Sequence, residues 1–113
     1  MSDVLTENAA AIAALNDKFR RSFSGGKMVM TPGIADLAPD DLVQVLAKVR
    51  GFESFEEGDD PYGEHDFGAF DHGGQKIFWK IDTYAPCMTR GSEDPGDPAQ
   101  TTRVLTVLLA QEY

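Results

Sequence analysis

The stretch HDFGAFDHGGQKIFWKIDTY, residues 65–84, decides how this chain folds. Two strand-like segments, His65 to Phe70 and Lys76 to Tyr84, flank Asp71-His72-Gly73-Gly74, a turn sequence whose glycines enter positive φ without steric cost. The length of the turn sets which side chains meet across the pair. A two-residue turn that brings Asp66 opposite Trp79 and Glu64 opposite Ile81 would force carboxylates onto the apolar face, and an unpaired buried charge is strongly destabilising. A three-residue turn, His72-Gly73-Gly74, pairs Phe67 with Trp79 and Ala69 with Ile77 on one face and Asp66 with Lys80 on the other. The sequence predicts this second register, with an aromatic pair worth about 0.5–1 kcal/mol inside and an opposite-charge pair outside.

Upstream of the hairpin, Leu5, Ala9, Ile12, Leu15, Phe19 and Phe23 recur at steps of three and four, which predicts a helix over Asp3 to Phe23. Ser2 is placed to cap it, Asp3 suits its positive end, and Gly25-Gly26 is its expected stop. Lys27 to Thr31 reads as a short strand ended by a Pro32-Gly33 turn. A second helix starts at Pro39, carries Asp40 and Asp41 in its first turn and a Leu42, Val45, Leu46, Val49 stripe, and stops at Gly51. Phe52 to Phe55 is a candidate brief strand, followed by a surface loop from Glu56 to Gly63.

Downstream, Pro86 to Pro98 is a long polar loop. The segment from Thr101 to Ala110 follows a possible capping box at Asp97, yet Thr102, Val104, Thr106 and Val107 are β-branched, and the choice falls on an interior strand covered on both faces. The expected fold class is α+β: a small, mostly antiparallel sheet of four to five strands with two helices packed on one face. At 113 residues the chain is expected to be one domain, residues 1–113, with no disulfide, since Cys87 is its only cysteine. No secretory signal or membrane-spanning run is read in it, so a cytoplasmic location is the expectation.

Charge narrows the partners. A formal net charge of −9 opposes direct contact with nucleic acid or anionic lipid. The acids are also gathered: Glu53, Glu56, Glu57, Asp59, Asp60, Glu64, Asp66 and Asp71 lie in a stretch with no Lys or Arg, whereas Lys18, Arg20, Arg21 and Lys27 sit together. A solvated acidic loop accounts for the first group and the negative end of helix one for part of the second.

Glu64-His65-Asp66 is the most reactive tripeptide, with two carboxylates and an imidazole. In a strand Glu64 and Asp66 share one face while His65 lies with Phe67 and Trp79, so the three converge only if the strand bends. Glu64, Asp66 and Asp94, with Asp59, Asp60 and Asp97 near them in sequence, offer oxygen ligands for a hard divalent cation, but neither an EF-hand nor a zinc spacing is present. Cys87 carries no hydrolase signature, and no nucleotide-binding motif occurs. The outer hairpin face carries Phe78, Lys80, Asp82 and Tyr84 with Phe70 beside them, a composition typical of interaction surfaces unless helix one or the last strand covers it.

Asn16-Asp17-Lys18-Phe19-Arg20, Gly63-Glu64-His65-Asp66-Phe67-Gly68, Phe78-Trp79-Lys80-Ile81-Asp82, Ser92-Glu93-Asp94-Pro95 and Arg103-Val104-Leu105-Thr106 resemble the bacterial domain-of-unknown-function family 3768, a group of short proteins. The likeness runs over nearly the whole chain; Thr83-Tyr84-Ala85 departs from the Tyr-Tyr-Asp expected there. The resemblance implies a free-standing bacterial protein, often carried on plasmids and other mobile elements, and no established activity. With an acidic surface, that setting makes the chain a candidate inhibitor of a host nucleic-acid-handling or defence protein, its carboxylates standing in for phosphates.

The expected function is non-enzymatic protein binding, with no cofactor. Glu56, Glu57, Asp59, Asp60, Glu93 and Asp94 in the loops, together with Phe78, Lys80, Asp82 and Tyr84, would engage a basic protein partner. The alternative is a small metal-dependent hydrolase or nuclease with Glu64, His65 and Asp66 catalytic and Glu64, Asp66 and Asp94 holding the cation. A homodimer, with basic helix one against the acidic segment of a second copy, is a third expectation.

Overall fold

The computed structural model describes residues 3–113, with side chains from Asn8 onward. The capping role expected of Ser2 lies outside the described residues, as do the side chains of Asp3 and Leu5. Helix α1 spans Asp3–Ser22, β1 Lys27–Met30, α2 Pro32–Ala35, α3 Pro39–Arg50, β2 Phe67–His72, β3 Gln75–Tyr84 and β4 Thr102–Leu109, with 3-10 turns at Pro98–Gln100 and Ala110–Glu112. The strands form one mixed sheet in the order β1-β4-β3-β2, parallel between β1 and β4 and antiparallel elsewhere. The fold class is α+β, as the sequence predicts.

Local chemistry explains most of these elements. Pro39 opens α3, Asp40 and Asp41 face its positive end, Lys48 and Arg50 its negative end, and Val45 and Val49 are buried. α1 stops at Ser22, before the glycine pair, because Phe23 takes a left-handed φ of 56° and its N–H closes onto Phe19 O at 2.7 Å. Pro32-Gly33 is not a free-standing turn: it opens the four-residue helix α2, whose Ile34 is fully buried. Glu112 secures this corner, accepting from the Thr31 hydroxyl at 2.6 Å and from the N–H groups of Gly33 and Leu109 at 2.9 Å each. Those bonds, the Thr31 hydroxyl first, hold the Glu112 carboxyl below its ordinary pKa. Phe52 to Phe55 forms no strand. Its rings instead stack edge-on, Phe52 on Trp79 and Phe55 on Phe52, with centroids 5.5 and 5.1 Å apart.

The hairpin corrects the register. The turn is Gly73-Gly74, with His72 opposite Gln75, so Phe67 meets Lys80, Gly68 meets Trp79, Ala69 meets Phe78 and Phe70 meets Ile77. Both glycines hold positive φ, 59° and 81°, the pattern of a two-residue turn whose twist matches the strands it joins. This turn lies one residue beyond the rejected two-residue alternative, and it keeps Asp66 off Trp79 without a bulge. Gly68 makes the pairing possible, since a Cβ there would come within 2.6 Å of Trp79 Cε2 and 2.9 Å of Phe52 Cε2. Gly68→Ala should therefore lower unfolding stability by about 1–3 kcal/mol, read from urea denaturation, because neither ring can retreat from a packed core.

α1 and α3 cover one face of the sheet. Phe19 from α1 and Val45 and Val49 from α3 pack with Ile77, Trp79 and Ile81 of β3 and Leu105, Val107 and Leu109 of β4 in one hydrophobic cluster. β4 is an interior strand, but it is not covered on both faces: Val104 and Thr106 stay half-exposed on the far side, where Leu108 is the buried member. Among the described residues no helix is long and apolar enough to cross a membrane.

Candidate functional site

Helix periodicity puts polar groups on the buried face of α1. Asn16 follows Ile12 by four residues and Arg20 follows Asn16 by four, so both turn inward with Phe19, and their exposures are 1% and 0%. The Arg20 guanidinium donates to Val49 O at 2.7 Å and Arg50 O at 3.0 Å, the carbonyls ending α3, and pairs with Asp17 at 2.9 Å. It also lies 5.0 Å from the Trp79 ring centroid and 5.5 Å from that of Phe55. Arg20 Nε and Trp79 Nε1 have no partner among the described residues. Across from this, buried Arg103 of β4 donates from Nε to Asn16 Oδ1 at 2.7 Å and from Nη2 to Pro95 O, while Asn16 Nδ2 donates to Glu64 O at 2.9 Å. The helix, the reactive tripeptide, the last strand and the Ser92 to Asp97 loop are thus fastened together through the Asn16 amide and the Arg103 guanidinium.

The chain bends at His65, whose φ is 54°, so strand alternation does not govern Glu64-His65-Asp66. The bend carries the imidazole to α1, where Nδ1 lies 2.9 Å from Asp17 Oδ2, while Nε2 faces Asp60 Oδ2 at 3.8 Å. The His65 backbone N–H donates to Asp60 Oδ1 at 3.1 Å. Phe55 stacks flat on the ring, centroids 3.8 Å apart at 4°. Asp60 is accordingly not an exposed loop acid: it is 8% exposed and organises the bend, whereas Glu56, Glu57 and Asp59 beside it are exposed.

Glu64 and Asp66 are half-buried in this acidic neighbourhood. Desolvation raises both carboxyls above their ordinary pKa values, with Asp66 and Asp60 repelling charge on Glu64, and Asp60 and Asp82 doing so on Asp66. A raised folded-state pKa means that the native state binds protons more readily than the unfolded chain. These two groups favour folding fully below their unfolded values, and the contribution is lost as pH rises through the folded ones. Glu64→Gln and Asp66→Asn should therefore raise the melting temperature at pH 7 and leave it nearly unchanged at pH 3.5, measured side by side with the parent.

A histidine oriented by a carboxylate beside two carboxyls of raised pKa is an arrangement that can relay a proton. Among the described residues no group of three or more His, Cys, Asp or Glu is placed to hold a metal ion, the set Glu64, Asp66 and Asp94 included. His72 serves elsewhere, bridging α3 and the hairpin with Nε2 at 3.0 Å from Asp41 and Nδ1 at 3.1 Å from Lys48 Nζ. Exposed Cys87 pairs with Thr89 Oγ1 at 3.1 Å, which lowers its thiol pKa.

The second face of the sheet carries the other predicted residues. Phe78, Lys80, Asp82 and Tyr84 share it and are half-exposed, and Lys80 donates to Asp82 at 2.8 Å. That bond raises the Lys80 pKa. Phe67 joins them, its ring 5.2 Å from that of Phe78, and Tyr113 closes edge-on over Phe78 at 5.7 Å. Phe70 does not, because the corrected register turns it toward α3. Neither long helix covers this face. Glu93 and Asp94 are exposed in the loop after β3. Sequence reasoning missed Asn16, Asp17, Arg20 and Arg103, although polar residues at helical spacing from Ile12 were a usable signal for the first and third.

The family described as "Protein of unknown function (DUF3768)" matches residues 30–112. No curated protein and no solved structure matches the chain.

Proposed function

The chain belongs to the DUF3768 family, and within that family we propose that it is a non-enzymatic protein-binding module for a basic protein partner. The observation that supports this reading most is the sheet face that neither long helix covers, where Phe67, Phe78 and Tyr84 stay partly exposed with Lys80 and Asp82 and Tyr113 is exposed. Aromatic residues that keep one side in water supply contact area at low entropic cost. The exposed Glu56, Glu57, Asp59, Glu93 and Asp94 surround the fold with the charge that draws a basic surface, and inhibition of a nucleic-acid-handling or defence protein is the use this chemistry suits.

Capture on the immobilised chain at low salt tests it. A basic protein retained by the parent should be lost after Glu56→Lys, Glu57→Lys and Asp59→Lys together, and weakened by Tyr84→Ala, with melting temperatures preserved. Unchanged affinity in the charge-reversed protein would sink the reading.

A second reading, a small divalent-cation-dependent hydrolase or nuclease built on Glu64, His65 and Asp66, draws on the Asp17–His65 contact at 2.9 Å beside two carboxyls of raised pKa, while the want of a three-ligand cation group among the described residues speaks against its metal. It requires Mg²⁺, Mn²⁺ or Ca²⁺ to raise the melting temperature, since a ligand of the native state stabilises by about 2.7 kcal/mol at a hundred times its Kd. A flat response, or a rise that survives Glu64→Ala and Asp66→Ala, counts against it.

A further inference from the structure

β2 is an outer strand, with β3 on one side and no strand on the other. The ladder identifies its spare backbone groups. Ile81 donates to Asp66 O at 2.9 Å, and these residues stand opposite each other in the register, so Asp66, Gly68, Phe70 and His72 are the positions that exchange hydrogen bonds with β3. Phe67, Ala69 and Asp71 therefore direct their N–H and C=O groups away from the sheet. Among the described residues the only partner these groups have is the Lys48 ammonium, 3.2 Å from Asp71 O.

Beside this edge runs a groove of about 590 Å³ between β2 and the C-terminal end of α3, with Ala69 and Phe70 on the strand side and Lys48, Gly51, Phe52 and Glu53 opposite. Glu53 begins the acidic segment, and no Lys or Arg occurs from there to Asp71. Free main-chain groups beside a groove are what an extended polypeptide needs to add as a strand, and Glu53 on the groove wall together with the formal charge of −9 favours a basic one.

We propose that β2 receives an extended basic segment as a fifth strand of the sheet. The incoming main chain pairs with Phe67 and Ala69, alternate side chains enter the groove, and Lys or Arg side chains meet Glu53 and the acids that follow. Lys48 caps the Asp71 end and sets where pairing stops. A second copy is disfavoured as occupant because each chain carries a formal −9. The inference rests on the basic partner proposed above but uses the sheet edge, not the uncovered face.

The probe is a capped octapeptide of alternating Lys and Val, added to the full chain, with a Glu-Val peptide as control. Amide exchange at Phe67 and Ala69 should slow by about tenfold with the basic peptide only, and shift changes should cluster on β2 and the groove. Ala69→Pro should weaken binding by about tenfold and keep the fold, because it deletes an N–H that β3 does not use and proline is tolerated on edge strands. Unchanged exchange at Ala69, undiminished binding by a folded Ala69→Pro protein, or shifts centred on Phe78 and Tyr84 would each overturn the proposal. If Ala69→Pro fails to fold, exchange in the parent decides. Protection of Ala69 that grows with protein concentration, without peptide, would make a second copy the occupant and overturn it too. The broader reading survives any of these if reversing Glu56, Glu57 and Asp59 still abolishes partner capture, and falls with them if it does not.

Discussion

Arg20→Met should cost about 3–5 kcal/mol of unfolding free energy, the largest loss expected from any single substitution here. Methionine keeps the volume and helix propensity of the stem, so the loss isolates the guanidinium. Removing it takes the side-chain donor from Val49 O, which keeps the Phe52 N–H at 3.4 Å, and from Arg50 O, and leaves Asp17 with His65 as its remaining partner. It also ends the contacts with Trp79 and Phe55. Urea denaturation gives the magnitude, and a cycle with Asp17→Ala separates the ion pair from the carbonyl contacts: a coupling under about 1 kcal/mol would assign most of the loss to the α3 carbonyls. A total loss below about 1 kcal/mol would mean that Arg20 is not the buried anchor described. Arg20→Lys should recover only part of the stability, since an ammonium cannot reproduce the planar fork that bonds two carbonyls and a carboxylate together.

Asn16→Ala should cost about 2–3 kcal/mol, the second largest effect. The amide is 1% exposed, and its loss leaves the buried Arg103 Nε–H unpaired and takes the side-chain donor from the part-buried Glu64 O. Burial lowers the Arg103 pKa, a sign that the charged guanidinium lacks compensation nearby. Asn16→Asp sets a carboxylate oxygen against Glu64 O in place of the donor but gives the buried Arg103 guanidinium a counter-charge, so it should destabilise less than Asn16→Ala. Amide exchange adds a positional readout: in Asn16→Ala the segment Gly63 to Asp66 should open more readily, because Asn16 is one of the two α1 residues, with Asp17, that tie it to the helix. Equal stability of the two variants would show that the Arg103 contact carries little of the load.

Much of the fold was legible in residues with local signatures. Pro39, the acids after it and the Val45-Val49 stripe define α3 whatever surrounds it. The glycines after His72 and the β-branched run from Thr102 define the hairpin and β4. The register was not legible from pattern alone: the Gly73-Gly74 turn that forms is neither of the two the pattern offered, and the decisive quantity was the fit of the Trp79 indole over Gly68. At the candidate site, the sequence singled out Glu64-His65-Asp66 but read it as a strand. Its geometry depends on a left-handed backbone at His65, sustained by Asp17 from forty-eight residues away and by Asp60.

By itself, then, the sequence determined the order and kind of the main elements, the α+β class and the concentration of negative charge, since these follow from spacing, propensity and composition within a few residues. Tertiary structure alone decided which polar groups are buried, that Asp60 turns inward while Glu56 and Glu57 do not, and which sheet face and strand edge stay free. Those outcomes depend on what packs against each side chain, and a buried Arg20 is tolerated only because α3 ends where its carbonyls can meet the guanidinium.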